Sequence, residues 1–235
     1  MPLLEPLLER AKALVPEFLS RLTVRRESGA IDSVESLAGF VSTRAAFVAQ
    51  KSLYGYLKTR MGTRYPHAFE DDVMIASIDI AKMHVYAACL SDLAIFAVAR
   101  TLQDLPAGAR PAAETCRALA LACFRRGLDD NAGQAAAVAT FSPEEVQEAF
   151  RRRLAFRDWE DGPQGRAIFT ESPPALLRWA PIAPELKKLD REIVENSIKF
   201  AWRDVRQALD RRIDGAAVMA AAAALDPAAG PDDPA

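Results

Sequence analysis

Asp79, Lys82 and Tyr86 follow one another at i, i+3 and i+7 along an apolar helical run, with Asp72 two turns earlier. Side chains at that spacing share a helix face. A carboxylate, an ammonium and a phenol placed so form either a buried polar network or one wall of a ligand pocket. His84 and Asp92 belong to a different face, because the five residues from Asp79 to His84 rotate a helix by about 140°. From His84 to Asp92 the axial distance is about 12 Å, too long for a hydrogen bond. The run therefore holds no catalytic dyad of its own. A partner must come from another element, and Tyr54, Lys58, Asp190 and Glu195 are the candidates. Burial without a partner is costly, so each of these groups must pair, face water or line a pocket.

A second constellation is cationic. Arg44, Lys51 and Lys58 recur every seven residues, no acid stands between Gln50 and Tyr65, and Arg60 and Arg64 extend the stretch. Such a face can receive the carboxylate or phosphate of a ligand or of a protein partner. Glu70, Asp71 and Asp72 follow the next turn and are placed to neutralise it. Taken together, the candidate ligand-binding residues are Lys51, Tyr54, Lys58, Asp79, Lys82, His84 and Tyr86.

Most catalytic signatures are missing from the sequence. There is no GxSxG, SxxK, GxxxxGK[ST], GxGxxG, HExxH or ExxH. Asp129 to Gly133 reads as a polar turn rather than a calcium loop, since Gly133 takes a ligand position and Thr140 stands where the bidentate glutamate belongs. Ser52, Ser77 and Ser91 have the atoms of a nucleophile but no base at a telling spacing. No catalytic residue is assigned, and neither a metal site nor a cofactor is expected.

The elements that carry these residues read as helices throughout. Leu3, Leu4, Leu7, Leu8, Ala11, Leu14, Val15, Phe18 and Leu22 trace an amphipathic helix. Ser33 to Met61 is a second, with Phe40, Phe47, Tyr54 and Met61 on one seam and Gly62 and Pro66 after it. A third, Phe69 to Gln103, is apolar nearly all round and is the candidate central helix. Arg110 to Arg126 is expected to end at Gly127. Ser142-Pro143-Glu144-Glu145 is a capping box. An irregular aromatic stretch, 156–184, holds one short helix at Pro174 to Trp179. Leu186, Leu189, Ile193, Val194, Ile198, Ala201, Trp202, Val205, Leu209 and Ile213 define the last long helix. The expectation is an all-α, single-domain helical bundle over residues 1–215 with a disordered Ala/Pro/Asp tail over 216–235.

Composition narrows the function. Half of the 235 residues are apolar and 26% are charged, the balance of a globular protein. A net charge of −2 and a pI of about 5.8 argue against nucleic acid as a partner. Asp79, Lys82, His84 and Asp92 interrupt the most apolar stretch, which argues against a bilayer span. Cys89, Cys116 and Cys123 form no CxxC pair and read as buried reduced thiols. Glu5 and Glu9 stand where a secretion signal carries bare positive charge, so a cytoplasmic location is expected.

The stretches QKSLYGYLKTRMGTRYPHAFEDD (from Gln50) and WAPIAPELKKLDREIVENSIKFAW (from Trp179) resemble segments of uncharacterised all-helical bacterial proteins, some of which carry the name esterase. The resemblance covers about residues 35–210 and implies a helical fold. It brings no catalytic motif with it, so no functional residue is carried over. The residues favour a non-catalytic module that binds a protein partner or a second copy of itself. A small hydrolase, or a bundle that binds a small anionic ligand beside the central helix, is the alternative.

Overall fold

The computed structural model describes residues 29–164 and 168–225. The apolar pattern Leu3–Leu22 and residues 226–235 lie outside them. The described residues form nine α-helices and no strand. The first, α1 (Val34–Met61), opens on Ser33. Its Oγ accepts the Ser36 amide at 3.2 Å, while Ser36 Oγ accepts the Ser33 amide at 3.1 Å, so two orphan donors are satisfied reciprocally. The second, α2 (Asp72–Thr101), opens on Asp71, whose carboxylate accepts from the Val73 and Met74 amides. Then come α3 (Ala113–Asp130), α4 (Ala132–Ala136) and α5 (Pro143–Ala155). In α5, Ser142 caps the Glu145 amide at 3.1 Å and Pro143 takes the first position, as the capping signal predicts. The series closes with α6 (Ser172–Trp179), α7 (Pro184–Lys187), α8 (Arg191–Asp210) and α9 (Gly215–Ala222).

The apolar α2 is the axis of one hydrophobic core. Every residue from Cys89 to Ala99 is buried, and α1, α3, α6 and α9 pack around it. Residues 72–104 are long and apolar enough to cross a bilayer by length and composition, and 89% of their most apolar window is buried inside the bundle. The chain ahead of α1 is tied to the turn after α8: Ile31 donates to the Arg212 carbonyl and Asp214 donates to the Ile31 carbonyl, each at 2.8 Å.

Three expectations change. Gly127 does not end a helix. It sits inside α3, where a Cβ would stand 2.5 Å from the Leu90 side chain and 2.8 Å from the Tyr86 hydroxyl. Residues 216–222, expected in the tail, belong to α9, capped by Asp214, with Val218, Met219 and Ala222 buried. Gly215 makes this docking feasible, since a Cβ would lie 2.4 Å from the Thr101 carbonyl oxygen. Finally, the last long helix begins at Arg191, so Leu186 and Leu189 precede it.

Candidate functional site

The seven candidate residues do not converge on one pocket; the fold distributes them over separate places. Tyr54, Asp79 and Lys82 meet where the end of α1 passes the start of α2. Lys82 Nζ donates to Asp79 Oδ1 at 2.7 Å, and Tyr54 lies beside Phe69 with ring centroids 6.4 Å apart. Burial and then the Asp79 charge push the Tyr54 phenol up to about 12. Tyr86 points to the opposite side, donating to the Gly127 carbonyl at 2.8 Å and accepting from Asn131 at 3.0 Å. That bond is a helix-to-helix tie, and burial raises the Tyr86 phenol further still. Lys51 and Lys58 are exposed on α1, Lys51 with its ammonium 5.5 Å from the Phe47 ring centroid.

The basic stretch is divided rather than pooled. Arg60 leaves it to pair with the fully buried Asp190, its Nε donating to Oδ2 at 2.6 Å and its terminal nitrogen contacting Oδ1. Tyr56 donates to the same Oδ2 at 2.6 Å. Asp190 is thus a structural partner that fastens the start of α8 to α1. Asp71 caps α2 and Glu70 pairs with His67 at 3.1 Å, so those two acids serve local turns.

His84 and Asp92 find partners on α5 and α6, which spacing alone could not supply. The His84 ring stacks on Trp179 with centroids 3.6 Å apart and planes 3° apart, and meets Phe141 edge-on at 5.3 Å. Burial, and then the nearby Arg178 charge, lower its pKa, while a hydrogen bond with the Thr140 backbone opposes the shift. Asp92 is fully buried and accepts from Arg153 at 2.8 Å, from the Glu171 amide at 3.2 Å and from the Ser172 amide at 2.8 Å. It thereby satisfies donors at the opening turn of α6. Burial pushes the Asp92 carboxyl up, and Arg153 is the largest influence holding it down.

This arrangement gives none of Ser52, Ser77 and Ser91 a base. Ser91 accepts from Arg153 at 2.7 Å and Ser77 donates to the Val73 carbonyl at 2.8 Å. Ser52 is buried. Burial raises the Cys89, Cys116 and Cys123 thiols, which disfavours the reactive thiolate. Among the described residues no cluster of three His, Cys, Asp or Glu is placed to hold a metal ion.

What the periodicity missed lies on α8. Its core face is Val194, Ile198, Ala201, Trp202, Val205 and Leu209. Roughly 150° round the helix runs a second apolar stripe, Ile193 at 58% exposed and Phe200 at 63%, with Leu189, 80% exposed, in the turn ahead of it. Leu186, just ahead, is exposed too. Along one border of the stripe, Glu192 precedes Lys199 and Arg203, all exposed, with Arg203 lying over the Phe200 ring at 5.7 Å. Comparison with protein-family models, curated proteins and solved structures gives no match.

Proposed function

We propose that the protein is a non-catalytic helical interaction module that associates with a second copy of itself through α8. The observation that carries this is the exposed Ile193 and Phe200 stripe on a helix whose opposite face already fills the core, with the exposed Leu189 in the turn just ahead of it. Contiguous apolar surface on a globular protein marks an interaction site. Removing each of these side chains from water is worth about 1.5–3 kcal/mol on full burial.

A two-fold axis crossing α8 between Asn196 and Ser197 makes the stripe self-complementary. Antiparallel pairing about that axis sets Ile193 of each copy against Phe200 of the other, the reciprocal contact of an isologous interface. The same axis brings Glu192 opposite the gap between Lys199 and Arg203, so opposite charges meet along the border. A catalytic reading lacks a comparable support, since Ser77 and Ser91 are engaged elsewhere and the thiols are buried.

Sedimentation equilibrium tests the proposal. The native chain is expected to run at twice the monomer mass, and Ile193→Glu with Phe200→Glu at the monomer mass with unchanged melting. Charge reversal at Lys51 and Lys58, exposed on α1, is expected to leave the dimer intact. A monomeric native chain at tens of micromolar would overturn the reading.

A further inference from the structure

Three helices leave a cleft of about 390 Å³ on the His84 side of α2. The reason is the size of the residues at their seam. Ala87 and Ala88 of α2, Ala149 of α5 and Ala175 of α6 all face it, where larger side chains would fill the space to the density of a protein interior. Phe124 and Phe150, stacked at 4.3 Å, form an apolar floor.

The two ends of the cleft differ in charge. At one end Arg153 donates to Ser91 and to the buried Asp92, so the arginine charge is balanced within the protein, and Glu171 adds a negative charge. At the other end, seven residues or about 10 Å along the helices, stand His84, Trp179 and Arg178. The Arg178 guanidinium lies over the Trp179 ring at 5.0 Å, which holds it at the cleft mouth. His84 Nε2 is buried there with no hydrogen-bond partner in the protein. A buried polar atom without a partner is unfavourable.

We infer that this cleft binds a small amphiphilic anion: an aryl or short-chain alkyl group on the Phe124–Phe150 floor, with its carboxylate or sulfonate at Arg178. Glu171 at the far end sets the direction, since an anion placed there would meet a like charge. The site is independent of the α8 stripe and does not rest on self-association.

Calorimetric titration with 4-phenylbutyrate, against 4-phenylbutanol as the uncharged control, tests the assignment. Saturable one-to-one binding is expected, with the alcohol about tenfold weaker, the difference one charge-assisted hydrogen bond makes. Arg178→Gln, an exposed substitution, is expected to bring acid and alcohol to the same affinity. Ala149→Leu fills the cleft and is expected to abolish both, with its melting curve read alongside. Absence of saturable binding by 4-phenylbutyrate at millimolar concentration would overturn the inference. So would binding that Arg178→Gln leaves undiminished, because the anion would then lie elsewhere.

Discussion

Asp92 is a carboxylate in the middle of an apolar helix with no exposure to water, and Arg153 reaches it from α5. Removing one partner of a buried pair strands the other charge, at a cost of about 3–5 kcal/mol. Arg153→Met is therefore expected to lower unfolding stability by that amount, and Asp92→Leu with Arg153→Met to recover much of it, as read from urea midpoints. His84 carries a pH dependence. Its folded pKa lies below its unfolded value, so the unfolded chain takes up the proton first. The His84 contribution is then full above about 6.5 and lost as the pH falls through the folded value. Urea midpoints of the native chain are expected to fall more steeply between pH 7.5 and 5 than those of His84→Phe, which keeps a ring against Trp179. At this scale the need was legible in the sequence and the answer was not. An ionisable group in the apolar run had to find a partner, but Arg151, Arg152 and Arg153 look alike until packing turns one of them inward. Tyr54, Asp79 and Lys82 do meet, whereas Tyr86 turns to α3 because Gly127 leaves room for its hydroxyl.

Serine-capped helix starts were the most readable elements, because a cap is a local hydrogen bond between neighbours in sequence. Ser33 and Ser142 satisfy the first-turn amides their side chains can reach, and Asp71, expected inside a helix from Phe69, caps α2 instead. Where a helix stops or docks depends on distant atoms. Gly127 looked like a terminator and is a contact point. The alanine run after Gly215 looked like low-complexity chain and is α9, because its docking rests on the approach of Gly215 to Thr101 and on the Asp104 carboxylate that accepts the Gly215 amide at 3.0 Å. Gly215→Ala is expected to force α9 away from that seat and cost about 1–3 kcal/mol, the range for overpacking a tight site. Faster amide exchange confined to α9 and the end of α2 would mark the undocking; unchanged exchange there would contradict this account of α9.

For the whole molecule, the all-helical class and the central apolar α2 were legible from periodicity, while the direction of α8 was not. Period alone grouped Ile193 with Val194 and Ile198 as one apolar face. The fold shows two: one faces the core, and one faces outward with Phe200. A sequence pattern counts apolar positions but does not say which chain will cover them. The proposed answer is a second copy paired antiparallel, and reciprocal charge exchange tests that geometry most directly. One variant carries Lys199→Glu and Arg203→Glu, making the stripe border acidic; another carries Glu192→Lys, making it basic. Each is expected to sediment as a monomer alone, and an equimolar mixture to form a heterodimer. Homodimers of either variant alone, or a mixture that stays monomeric while the native chain dimerises, would contradict the antiparallel α8 interface.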